Sequence, residues 1–102
     1  MSTSANNVRP PGAVQVNVTE DTLVVELNDG RTLSVPISWY PRLEHATATE
    51  RSDWTLVGGG SGIHWESLDE DISVQALIAG KASNESQMSL KRWLAKRPPT
   101  FR

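Results

Sequence analysis

Two histidines and three consecutive acids, Asp69, Glu70 and Asp71, are the groups of this 102-residue chain best suited to acid–base chemistry. His64 lies in Ile63-His64-Trp65, where strand alternation turns it away from both neighbours. The acids are close to it in sequence, so a His64–carboxylate pair has the residue types needed for proton transfer. A hydrolytic site also needs a nucleophile and oxyanion donors beside that pair, and neither is visible in the sequence. A metal site usually needs three or more converging ligands, and two histidines without cysteine fall short. The acidic triplet lacks the spacing and the central glycine of a calcium loop. It reads better as charge at a helix N-terminus, with His64 as a surface histidine bonded to a carboxylate. Gly58-Gly59-Gly60-Ser61-Gly62 suggests a phosphate loop, but it runs into a strand and no lysine follows, so a hairpin loop or bulge is expected.

Two further groups have the composition of binding surfaces. Trp39, Tyr40 and Arg42 place two large aromatics and an arginine within four positions, and these residue types dominate binding hot spots. They also fill small cores, so one aromatic is expected inside and the other partly exposed. Arg42 has Glu44 or the acidic triplet as ion-pair candidates. In the tail, Lys91, Arg92, Lys96, Arg97 and Arg102 surround Trp93. Cations around an aromatic suit nucleic acid, through phosphates and stacking. They equally suit the end of an amphipathic helix docked through Leu90, Trp93 and Leu94.

The elements that position these groups follow from periodicity. Val14, Val16 and Val18 alternate with polar residues, predicting a strand with its valines inward. Thr19 to Asp21 turns the chain. Leu23, Val25 and Leu27 mark a second strand. Asn28-Asp29-Gly30 predicts a tight hairpin, because glycine accepts the positive φ that such turns require. Leu33 and Val35 line the return strand, which Pro36 ends. Ser38 is a candidate cap for a helical turn through Leu43, with Pro41 in its first turn. Thr47 and Glu50 have capping-box spacing for a second short helix. Trp54 to Val57 and Ile63 to Trp65 read as strands around the glycines. A helix is predicted from Ser73 to Ala79, stopped by Gly80, with Val74, Leu77 and Ile78 as its apolar stripe. A last helix runs from a cap within Asn84 to Gln87 to about Lys96, with Met88, Leu90, Trp93 and Leu94 apolar.

Composition sets the outer bounds. An apolar fraction of 37% and a charged fraction of 22% place the chain among folded domains, outside the disordered range. Its length fits one domain. Without cysteine there is no disulfide framework, and a reducing, cytoplasmic setting is the natural expectation. Nothing apolar is long enough to span a membrane, and residues 1–12 lack the apolar run of a secretory signal, reading as a flexible lead-in. Residues 1–80 carry 4 basic and 11 acidic side chains, a balance of -7; residues 81–102 carry 6 basic and 1 acidic, a balance of +5. An acidic body with a basic tail can fold on itself or show partners two faces.

The segments VTEDTLVVELNDGRTLSVPISWYPRL, WTLVGGGSGIHW and LDEDISVQALIAG together resemble a family of small bacterial proteins, domain of unknown function 2442. The resemblance covers roughly residues 14 to 80 and leaves the tail from Lys81 outside. Family members often carry proline where this chain has Ala48 and Glu66, departures that touch a helix entry and a bend. The resemblance implies a compact α+β domain, no established catalysis, and frequent encoding beside a second small protein of toxin-like character; separately, no cofactor is expected. The expected fold is therefore α+β: a small antiparallel sheet, made of a three-stranded meander plus one or two further strands, with short helices on one face. The expected role is a non-catalytic binding or regulatory module, antitoxin-like in its most concrete form. Trp39, Tyr40, Arg42, His64 and Trp65 are its candidate partner-binding residues, with Lys91, Arg92, Trp93, Lys96 and Arg97 on the tail for a protein or nucleic acid. The alternatives are a stand-alone nucleic-acid adaptor and, third, an enzyme built on His64 and a carboxylate.

Overall fold

The computed structural model describes residues 10–97 of the chain. Arg102 and the first nine residues of the expected lead-in lie outside them. The architecture is α+β, as expected, but the further strands number three and form a sheet of their own. Strands β1 (Ala13–Val18), β2 (Thr22–Leu27) and β3 (Thr32–Pro36) make an antiparallel meander. Strands β4 (Trp54–Val57), β5 (Gly62–Trp65) and β6 (Glu70–Ser73) make a second one. Helices α1 (Pro41–Glu44) and α2 (Ala48–Arg51) connect the sheets. Helices α3 (Val74–Ile78) and α4 (Gln87–Ala95) follow β6. Among the described residues no helix is long and apolar enough to cross a membrane.

Local chemistry explains most of these elements. Gly30 closes the β2–β3 hairpin with a φ of 95°, which a side chain would strain. Thr47 and Glu50 form both halves of the capping box that opens α2. Pro41 occupies the first turn of α1, but Ser38 caps nothing: a 3-10 turn spans Ile37–Trp39 and α1 starts after Tyr40. Gly80 has the positive φ of a helix stop after α3.

β1 departs from simple alternation. Ala13 faces Leu27 and Gln15 faces Glu26, so Val14 is the extra residue of a β-bulge. The bulge puts Ala13 and Val16 inside and leaves Val14 53% exposed. Beside the bulge, Gly60 lets the turn between β4 and β5 approach β1 closely: a Cβ there would lie 2.6 Å from the Ala13 carbonyl oxygen. One hydrophobic cluster joins both sheets, with Leu23, Ile63, Trp65 and Val74 among its buried members. Burying a side chain the size of Leu or Ile is worth roughly 2 kcal/mol, and Trp65 is larger still.

The acidic triplet does not precede a helix. Asp69 has left-handed backbone (φ 51°) at the end of a 3-10 turn, and Glu70 and Asp71 begin β6. The helix N-cap is Ser73, whose side chain accepts from the Ala76 N–H.

Candidate functional site

β5 and β6 set the first group of candidates. Cross-strand register pairs His64 with Asp71 and Trp65 with Glu70. His64 and Asp71 share the outer face, where His64 Nδ1 lies 2.7 Å from Asp71 Oδ1 and Nε2 lies 2.9 Å from Glu66 Oε1. These bonds raise the imidazole above its ordinary range, Glu66 contributing most and Asp71 next. With carboxylates at both ring nitrogens, the imidazole is bracketed and aimed at nothing else. The two carboxylates sit at different edges of the ring, and among the described residues no His, Asp and Glu set converges as metal ligands.

Trp65 points the other way and is fully buried. Its indole N–H donates to the Arg51 carbonyl at 3.0 Å. A ring without exposed surface offers a partner nothing, so Trp65 belongs to the core rather than to a binding face. Tyr40 is likewise buried, its hydroxyl donating to the Lys81 carbonyl at 3.1 Å. Burial and then the charge of Glu70 push its phenol upward. Trp39 is the half-exposed aromatic of the pair, and its carbonyl accepts from the Ser83 N–H at 2.9 Å.

Arg42 is spent inside the fold, on neither Glu44 nor an acidic side chain of the triplet. Its Nε donates to Glu85 at 2.9 Å and its Nη2 at 2.8 Å, while Nη1 donates to the Leu68 and Asp69 carbonyls, both at 3.1 Å. A planar fork suits this combination. Arg42 holds the Glu85 carboxyl below the usual carboxylate range.

The tail helix divides its candidates between two faces. Ser89, Leu90, Trp93 and Leu94 turn inward, half-buried, while Met88, Lys91, Arg92 and Lys96 are exposed. Met88 therefore leaves the apolar stripe assigned to it by sequence. Arg97 donates to Glu50 at 2.7 and 3.1 Å, and its guanidinium lies 4.6 Å from the Trp93 ring centroid. The Arg42 guanidinium is 5.2 Å from the same ring. No residue of α4 is fully buried. A nine-residue helix is marginal alone in water, so it is the packing of Trp93 against the core, together with these polar and cation–π contacts, that holds it.

Three carboxylates thus complete the arrangement: Glu50, which the sequence marks only as a cap, Glu70, which it marks only as part of the acidic triplet, and Glu85, which sequence reasoning passed over. Recognising β6 would have exposed Glu70, because its register with Trp65 puts it on the core side of the sheet.

The arrangement of sheets and connecting helices is shared with other proteins. A family model described as protein of unknown function, DUF2442, matches residues 13–83. The chain belongs to the DUF2442 family. A crystal structure of a protein of unknown function from Rhodospirillum rubrum is similar at 29% identity and a TM-score of 0.66, over 78% of this chain and 99% of that one. The solution structure of an uncharacterised protein from Chromobacterium violaceum, 24% identical, shares the fold with a TM-score of 0.61, over 85% of this chain and 76% of its own. No curated protein sequence matches the chain. The DUF2442 match ends before the α4 cap at Ser86, so the basic helix is seated on the family core from outside it.

Proposed function

We propose that this DUF2442 protein is a non-catalytic binding module that engages a protein partner through the outer face of α4. The carrying observation is how eight of the ten candidate residues divide. Tyr40, Trp65, Arg42, Trp93 and Arg97 are committed to internal contacts, whereas Lys91, Arg92 and Lys96 remain exposed together with Met88. A partner fitting that face has an acidic rim around a small apolar contact. The non-catalytic part of the reading is supported by His64, whose two ring nitrogens are both taken by carboxylates. In concrete form the protein is the antitoxin-like half of a bacterial two-protein system in the cytoplasm, its partner a small toxin-like protein encoded nearby. The exposed cations also favour a second reading, in which the same face binds nucleic acid.

The test is co-expression with the protein encoded next door, followed by co-purification and titration calorimetry. The reading expects a complex that weakens at least tenfold when Lys91, Arg92 and Lys96 are all replaced by alanine. A complex indifferent to that replacement, or no complex, would reject it.

A further inference from the structure

Glu70 is a carboxyl on the wrong side of a sheet. It faces the fully buried Trp65 across β5 and β6, and Ile72, its next neighbour on that face, is buried too. Its side chain borders a cavity of about 220 Å³ between β6 and the 81–84 segment, which Tyr40 and Lys81 also line. Among the described residues no hydrogen-bond donor reaches its carboxyl. Arg42 is the nearby cation, but its fork is filled by Glu85 and two carbonyls. Glu85, Asp71 and Asp69 add negative charge around Glu70, and Lys81, the cation that lines the same cavity, makes no ion pair with it.

The 81–84 segment leads directly into α4. The arm made of that segment and α4 is fastened at identifiable points. Tyr40 bonds Lys81, Trp39 bonds Ser83, Arg42 holds Glu85, and Arg97 holds Glu50. Ionised Glu70 opposes the Arg42–Glu85 fastening twice over. It repels Glu85 and competes with it for the guanidinium.

We propose that Glu70 is a proton-operated latch: protonated, it lets the arm of residues 81–97 close against the body, and ionised, it releases the arm. The latch belongs to the free chain and stands whether or not α4 binds a partner. Burial first, then the surrounding acids against the opposing pull of Arg42, push the Glu70 carboxyl up from 4.5 to about 7. The sign follows from linkage. A carboxyl raised in the closed form binds a proton there that the open form has already released. Closure is therefore fully favoured below 4.5 and is lost as pH rises toward about 7. If release restores the ordinary carboxyl, the closed-to-open ratio falls ~20-fold between about pH 5.5 and about pH 7.5.

Nuclear magnetic resonance on the full chain tests this. Backbone relaxation reports the order of α4, and the side-chain carboxyl carbon reports Glu70 ionisation. The expected result is that α4 loses order with rising pH, at the midpoint where Glu70 titrates. Glu70→Gln, which cannot ionise, should keep α4 ordered throughout, and Glu70→Leu should do the same if the glutamine variant folds poorly. Glu66→Gln, which alters the His64 pair on the opposite face and is not among the charges around Glu70, should leave the transition in place. The proposal is overturned if α4 order does not change with pH in the unaltered chain. It is equally overturned if the transition persists in the Glu70 variants or vanishes in Glu66→Gln.

Discussion

Arg97 grips Glu50 through two hydrogen bonds while its guanidinium lies over Trp93, 4.6 Å from the ring centroid. One side chain thereby ties the end of α4 to α2, at the other end of the helix from Arg42–Glu85. The grip holds the Glu50 carboxyl below its usual range, Arg97 contributing most. Both partners are less than a quarter exposed, so the pair is screened less than a surface bridge. Arg97→Ala should lower stability by about 1–2 kcal/mol, seen as a lower Tm. Trp93→Ala should cost a similar amount, and the double variant less than the two costs added together, because they remove one shared contact. Full additivity would show that Arg97 and Trp93 act independently.

Removing α4 altogether should leave both sheets standing. The helix buries no residue fully, and the sheet core lies within the matched span of 13–83. A chain ending at Ser83 keeps the Tyr40–Lys81 and Trp39–Ser83 bonds and loses the carboxylate partner of Arg42. It should unfold cooperatively at a lower Tm, with circular dichroism still showing the β-sheet. Loss of the cooperative transition would place α4 in the folding core.

Gly30→Val should destabilise the first hairpin. A φ of 95° is unfavourable for any residue with a Cβ and worst for a β-branched one. No atom would crowd the new Cβ, so the cost is backbone strain alone, about 2 kcal/mol. For a domain of this length that is a fall in Tm of about 10 °C.

What could be read from the sequence was whatever a few adjacent residues decide. Asp29-Gly30 and the Thr47–Glu50 box carry their geometry in their own chemistry, and both were legible. β6 was not, because Asp69-Glu70-Asp71 matches the charge pattern of a helix start and only Ile72 marks the strand. Val14 misled because a bulge shifts the period by one residue. The contacts of Arg42 escaped notice for another reason. Glu85 is 43 positions away, and nothing local distinguishes it from Glu44 as a partner.

His64 should titrate above its ordinary value of 6.5, since Glu66 and Asp71 both favour the imidazolium. A raised folded value means that the stabilisation is complete below 6.5 and is lost as pH rises through the folded midpoint. Glu66→Gln and Asp71→Asn should each move the midpoint down, with proton resonances of the imidazole as the readout. The pair is exposed enough that Tm should change little. A midpoint at or below the ordinary value would mean that the two bonds do not persist in solution.

Salt should decide what meets the outer face of α4. A nucleic acid neutralised by Lys91, Arg92 and Lys96 releases counterions, and three phosphate contacts make affinity fall ~40-fold between 50 and 200 mM salt. Replacing the three cations by alanine should then abolish both the binding and its salt slope. A protein partner seated on Met88 with the cations at its rim should show a shallow slope, with Met88→Ala slowing nothing in association and speeding dissociation. The acidic balance of residues 1–80, -7, argues for the protein, because it repels a phosphate backbone everywhere except near α4. Arg97 should matter little in either case, since Glu50 and Trp93 already occupy it. Nucleic-acid affinity that survives loss of all three exposed cations would move the interface away from α4.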